Sequence, residues 1–268
     1  MRPQARNSRC LALLAWLTVA TVATAREAPN LSAVPVNQLV VSGNACGPAA
    51  LLNALRFGNA CWQRAGSAVA GANDKERVTT MIRDIGMRPS KSLPGHPRWS
   101  RRGLSVADLR DMANEMTAGL SLPPMREDVF FLNPRESPEQ LVRRAYQRID
   151  SSLARGLPPI VSLRRYAWRQ LPSTAPQWVV IDAHFVTLTA IADRLEKNAR
   201  AFAVDYIDPW GAKRCQGSIG IPQRAIFPTP TGGSSCLAAV FPQSPVGKSL
   251  VHRGELTVLV PAAIIGRW

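Results

Sequence analysis

The sequence predicts an α+β fold, because its apolar periodicity changes once along the chain. Up to about residue 156 apolar residues recur at helical spacing behind recognisable caps. From about residue 157 onward, short β-rich runs alternate with Gly, Pro and polar turns. The 268 residues, 46% hydrophobic and 19% charged, suffice for one domain or two closely packed lobes with a real core. The same numbers exclude intrinsic disorder, and no solenoid repeat, collagen-like, coiled-coil or multi-span membrane pattern is present.

Residues 1–25 read as a signal peptide. Arg2, Arg6 and Arg9 precede the apolar run from Cys10 to Val22, and Ala23-Thr24-Ala25 supplies a small-x-small cleavage site, so the mature chain starts at Arg26. An uncleaved anchor is the alternative, but the run is short for a span. Cleavage removes three arginines and no acid, which lowers the net charge from +15 to +12. An exported protein this basic meets anionic envelope polymers, headgroups or acidic substrates, or simply carries a solvated basic surface. No nucleic-acid motif surrounds its spread arginines, among them Arg98, Arg143, Arg144, Arg164, Arg165 and Arg169.

Four helices are expected in the helical lobe, residues 38–156. Gly47-Pro48 leads into Leu51, Leu52 and Leu55, with Gly58 at the exit. Asn73 and Glu76 form a capping box before Val78, Met81, Ile82 and Ile85. Ser105 caps a helix with Leu109, Met112, Ala113 and Met116 inward. Ser137, Pro138 and Gln140 open the fourth, which carries Leu141, Ala145, Ile149 and Leu153 and ends at Gly156.

The β lobe, residues 157–268, holds strand candidates at 158–163, 185–192, 201–207, 237–241 and 256–260. Two long loops are expected, the basic and Pro-rich 88–103 and the Gly/Pro/Ser-rich 209–235. The first holds Lys91, His96, Arg98, Arg101 and Arg102, lies between two helices of the helical lobe, and is expected to border a substrate cleft and favour acidic or envelope-bound substrates. A solvated connector is the alternative.

Cys46 stands at the mouth of the first predicted helix, in Ser42-Gly43-Asn44-Ala45-Cys46-Gly47-Pro48. A helix N-terminus stabilises a thiolate, and its free N–H groups point at a developing oxyanion. A buried structural thiol, or half of a disulfide, is the competing reading. Of the three histidines, His96 and His252 sit in polar surroundings, whereas His184 opens the apolar run Phe185-Val186-Thr187-Leu188. If the following turn centres on Glu196, an ungapped hairpin register sets Asp208 opposite His184, where a carboxylate orients an imidazole. Asp205 is the second candidate, opposite Thr187 in that register.

Cys-Gly-Pro-Ala at a helix start, His-Phe-Val-Thr-Leu on a later strand and a following Asp-Pro-Trp-Gly together resemble the papain-like double-glycine peptidases that process bacteriocin leaders, and their stand-alone secreted relatives. The resemblance runs in order from about Gln38 to Trp210. It implies a papain-like fold, with Cys46 as nucleophile, His184 as base and acid, and Asp208 as orienter. The family's oxyanion glutamine usually lies six residues before the nucleophile; Val40 occupies that place, which leaves Gln38 and Asn44 as amide donors. The function this implies is an exported thiol peptidase. A thiol acyltransferase or transpeptidase of the same fold, or a non-catalytic basic envelope-binding module, are the alternatives.

The partner expected is a peptide or protein substrate, not nucleic acid, in a secreted or periplasmic protein with no span after signal cleavage. The cysteines show no zinc spacing, and there is no phosphate loop or G-x-S-x-G elbow, so neither metal nor cofactor is expected. Cys215 and Cys236 bracket most of the 209–235 loop and are expected to pair as a disulfide, leaving Cys61 free; a Cys61 bridge to either is the competing arrangement.

Overall fold

A computed structural model of the chain describes residues 25–172, 175–230 and 232–268. The signal-peptide reading therefore falls outside the described residues, except for Ala25. In chain order the elements are β1 (Ala25–Glu27), α1 (Cys46–Phe57), α2 (Ala60–Ser67), α3 (Asp74–Met81), β2 (Trp99–Ser100), β3 (Gly103–Leu104), α4 (Val106–Thr117), β4 (Arg126–Val129) and α5 (Pro138–Ala154). There follow β5 (Ile160–Arg169), β6 (Gln177–Ala192), β7 (Ala201–Asp208), β8 (Lys213–Gly220), β9 (Ala238–Val240) and β10 (Thr257–Gly266). The architecture is α+β with an antiparallel main sheet. No helix among the described residues is long and apolar enough to cross a membrane.

The caps read from sequence form in place. Asn73 accepts the Glu76 N–H at 3.0 Å, and Ser105 accepts that of Asp108 at 3.0 Å. Ser137 and Gln140 close a reciprocal box. α2 is an addition to the expected set: Asn59 caps it through the N–H groups of Cys61 and Trp62, a signal the apolar spacing alone does not carry.

The main sheet runs β4-β10-β5-β6-β7-β8-β9, with β1 added to β6. Its last strand, β9, comes back against β10, so the sheet curls on itself. Two cores result. One joins Leu51, Leu55, Met81, Leu109 and Met112 of α1, α3 and α4 with Phe185, Ile160 and Ile265 from the sheet. The other joins the sheet's Val161, Leu163, Val186 and Tyr206 with Leu141, Ala145 and Ile149 of α5. α5 thus packs chiefly with the sheet, with Phe57 of α1 joining the same core, because its apolar stripe is the surface that covers the β5–β6 pair.

Three further expectations are corrected. His184 does not open a strand: β6 starts at Gln177, and the turn-like Asp182-Ala183 is paired with Arg165 and Arg164 of β5. The expected 209–235 loop contains β8, which pairs with β7 along its whole length. Its polar, Gly-containing sequence Lys213–Gly220 hid the strand because pairing on both sides, not side-chain propensity, holds it.

The Cys215–Cys236 bridge is not formed; Cys46, Cys61, Cys215 and Cys236 are all free thiols. The register Ser218↔Val240, Ile219↔Ala239, Gly220↔Ala238 carries Cys236 past the far end of β8 while Cys215 lies near its start. About seven residue positions separate them along the strand, roughly 23 Å at the usual rise, beyond the roughly 7 Å limit for a disulfide. Cys215 packs against Tyr206, and Cys236 lies with Tyr166, Ile226 and Val260. Burial raises the Cys215 thiol and pushes that of Cys236 up to about 12. Thiol titration of the native chain should therefore label exposed Cys61 promptly, and Cys215 and Cys236 only on unfolding. Non-reducing peptide mapping that recovers a linked 215–236 fragment would contradict this register.

Several of the spread arginines serve as internal ties. Arg144 bonds Asp128 and Glu136, each at 2.8 Å, fastening α5 to β4, and Arg169 pairs with Glu255. Arg98 is buried against Glu115.

Candidate active site

Cys46 is the first residue of α1 and is buried, 6% exposed. No side chain caps this helix, so the Cys46 and Gly47 N–H groups at its start have no side-chain partner. Gly47 is closely approached: a Cβ there would sit 2.5 Å from the Leu104 side-chain end, which would have to shift, and 3.5 Å from Phe185. Both neighbours belong to the site's walls, Leu104 on β3 and Phe185 on β6.

His184 Nε2 and Asp208 Oδ1 are 2.8 Å apart, with both side chains buried. Cys46 also acts on this imidazole and favours its charged form, and since Nε2 is engaged by Asp208, Nδ1 is the nitrogen left for the sulfur. Asp208 Oδ1 also accepts the Trp210 N–H at 2.8 Å, which fixes the carboxylate in the Asp208–Gly211 turn.

The hairpin reaches this arrangement by a register different from the ungapped one. β6 and β7 pair as Thr187↔Ile207 and Leu188↔Tyr206, with a bulge before Ala190↔Asp205. Carried on, that register sets Asp208 level with Val186, two residues from His184. A shift of two keeps both side chains on one face, so the pair forms diagonally. Asp205 lies opposite Ala190, at the other end of the pairing, and does not reach the site.

Burial by itself lowers the His184 pKa, since it disfavours the imidazolium. The Asp208 hydrogen bond and the contact with Cys46 oppose it and prevail, raising the value to about 10. The balance of these causes favours the imidazolium, next to the sulfur.

Gln38 is buried, and its side-chain amide oxygen has no hydrogen-bond partner. It sits in a short 3-10 turn, Gln38–Val40, clamped to the Asp208 turn at two points. The Gln38 N–H donates to Pro209 O at 2.8 Å, and Asn37 Oδ1 accepts the Gly211 N–H at 3.1 Å. Asn44 is different: it is exposed, and its backbone holds the β2–β3 hairpin by accepting from Trp99 Nε1 at 3.0 Å and donating to Arg101 O at 3.3 Å. The structure thus gathers Cys46, His184 and Asp208, places Gln38 against the turn after Asp208, and leaves Asn44 as an anchor for the hairpin. His96 is exposed.

Thr187 is a positioning residue that sequence reasoning did not single out. Its buried hydroxyl donates to Ala50 O of α1 at 2.8 Å, fastening the strand of His184 to the helix of Cys46. Its place three residues after His184, at the buried centre of the apolar run, is the only trace in the sequence. Thr187→Val keeps the shape and removes the donor, and should cost about 1–3 kcal/mol in chemical denaturation. It should also slow Cys46 alkylation, which a purely global loss of stability does not do in the fully folded range.

A cavity of about 640 Å³ lies at the seam of β9 and β10 among Trp178, Phe241 and Leu259, and none of Cys46, His184 and Asp208 lines it. Geometry and charge, not cavity size, mark the site here. No family model, curated protein or solved structure matches the chain.

No group of three or more His, Cys, Asp or Glu side chains is placed to hold a metal ion among the described residues. What the arrangement can do is thiol chemistry: a sulfur at a helix N-terminus, an imidazolium beside it, and a carboxylate behind the ring.

Proposed function

We propose that the chain is an exported papain-like cysteine peptidase that hydrolyses peptide amides through an acyl-enzyme. The observation that carries this reading is the buried His184–Asp208 hydrogen bond, with Cys46, at the start of α1, near enough to the same ring to favour its charged form. A structural thiol has no need of a buried imidazole oriented by a carboxylate.

In this mechanism the Cys46 proton resides on His184, and the thiolate attacks the substrate carbonyl carbon. The carbonyl π electrons move to oxygen, where the Cys46 N–H and the Gln38 amide stabilise the charge. Collapse breaks the C–N bond, the leaving amine takes its proton from the His184 imidazolium, and a thioester on Cys46 remains. Water attacks that thioester with His184 as base, the C–S bond breaks, and acid and thiol are released. Asp208 holds the ring in the orientation both proton transfers need.

The helical core that carries Cys46 and the curled sheet that carries His184 and Asp208 support the papain-like part of the reading. The leader-like residues 1–25 support export. Incubating the purified chain with a peptide library and added amines, followed by mass spectrometry, tests the reaction. Hydrolysis products that vanish in Cys46→Ala are expected. Amine-linked products would reassign the chain as an acyltransferase, and no thiol-dependent product would refute the reading.

A further inference from the structure

The segment between Gln38 and Cys46 forms one wall of a second cavity, about 420 Å³. The Val40–Ser42 segment faces Thr79 and Ile82 across it, with the Trp99 indole and Lys75 completing the lining. This cavity adjoins the nucleophile's own segment. The Trp99 ring lies on Gly43, which holds φ +87° and leaves the indole atoms 3.4 Å from where a Cβ would stand, and Trp99 Nε1 bonds Asn44 O, two residues before Cys46. An L side chain at Gly43 would strain the backbone and crowd the indole.

The charges around the cavity are one-sided. No carboxylate lines it, and Lys75 makes no hydrogen bond or ion pair among the described residues. The acids nearest in sequence are already committed: Asp74 pairs with Arg56, Glu76 accepts from Ala72 N and Asn73 Nδ2, and Asp84 pairs with Arg83. At the tip of the hairpin that brings Trp99, the exposed side chains of Arg101 and Arg102 are likewise unpaired, whereas the loop's other arginines, Arg88 and Arg98, both bind Glu115. A pocket walled in part by Val40, Val41, Ile82 and the Trp99 indole, with the unneutralised Lys75 in its lining and two more cations at the nearby hairpin tip, matches a side chain with a methylene stem and an anionic end.

We propose that this cavity is a specificity subsite that takes an acidic side chain of an extended peptide substrate, with Lys75 as its counter-ion and Arg101 and Arg102 drawing acidic segments to it. The proposal rests on the peptidase reading for its purpose, but its binding is measurable without turnover. It also sharpens the role of the 88–103 loop: two of its cations are spent on Glu115, and the loop contributes the indole wall and the two cations at the hairpin tip.

The test uses Cys46→Ala, which binds without turning over, and fluorescein-labelled decapeptides in which one Glu is moved along an Ala/Gly background, each paired with its Gln counterpart. For at least one position, the Glu peptide should bind about fivefold more tightly at low salt, the scale of one partly exposed ion pair. Lys75→Gln in that background should abolish the difference without weakening the Gln peptide. Arg101→Gln with Arg102→Gln should reduce the salt dependence of binding. Equal binding of Glu and Gln peptides at every position, no measurable binding by any of them, or a preference that survives Lys75→Gln overturns the proposal. Cleavage by the wild-type chain with no acidic preference would sink the subsite and leave the peptidase reading standing. A Lys75-dependent preference without cleavage would do the reverse.

Discussion

His184→Ala should lower peptide turnover by roughly 10²–10⁴-fold, the range of a positioned general acid and base, and should slow iodoacetamide labelling of Cys46 at pH 7. The pH dependence separates a paired thiol from an ordinary one. With the His184 pKa raised to about 10, the imidazolium that protonates the leaving amine persists through neutrality, so the alkaline limb of kcat/KM should lie near that value. Asp208→Ala removes a cause of the rise and leaves the burial that opposes it, so the limb should move down toward, or below, the ordinary histidine value of about 6.5. The linkage to stability has the same sign. A folded pKa above the unfolded one contributes stability that is complete below about 6.5 and is lost as pH rises through about 10. Equal labelling rates for wild type and His184→Ala would dissolve the ion pair and with it the catalytic assignment.

Phe185→Ala should cost about 3–5 kcal/mol in denaturant unfolding, the usual cost of deleting a buried phenyl ring. Phe185 is buried, follows His184 directly, and projects from β6 into the core formed by α1, α3 and α4. Its ring edge lies against Gly47, so it seats the helix that carries Cys46 on the strand that carries His184. The loss should exceed that of Thr187→Val, which removes a single hydrogen bond, and turnover of the folded fraction should fall as well because the sulfur loses its backing. Phe185→Leu, which refills part of the volume, should recover much of both; a loss below 1 kcal/mol in Phe185→Ala would show that α1 is seated by other contacts.

Much of this site is written locally. Cys46 before Gly47-Pro48 starts a helix because Pro48 suits the first turn, a property of adjacent residues, whereas the close approach of Leu104 to Gly47 comes from far along the chain. The caps at Asn73, Ser105 and Ser137 are legible for the same reason: each is a bond between residues three apart. The pairing of His184 with Asp208 was accessible because a hairpin is nearly local, and because a register error of two residues leaves side chains on the same face.

What the sequence by itself determined is therefore the starts of four of the five helices, the change of period, and the three side chains that meet. What only the tertiary structure decided depends on contacts distant along the chain. The β8 strand is held by neighbours on both sides in spite of its polar sequence, and α5 joins the sheet because that is where its apolar stripe finds cover. Cys215 and Cys236 stay apart because the β8–β9 register sets them at opposite ends, although their spacing in the chain would permit a bridge. Gln38 comes to the site through Pro209, far along the chain, and Trp99 through Asn44. Periodicity reports which face of an element is buried, but only packing decides what that face is buried against.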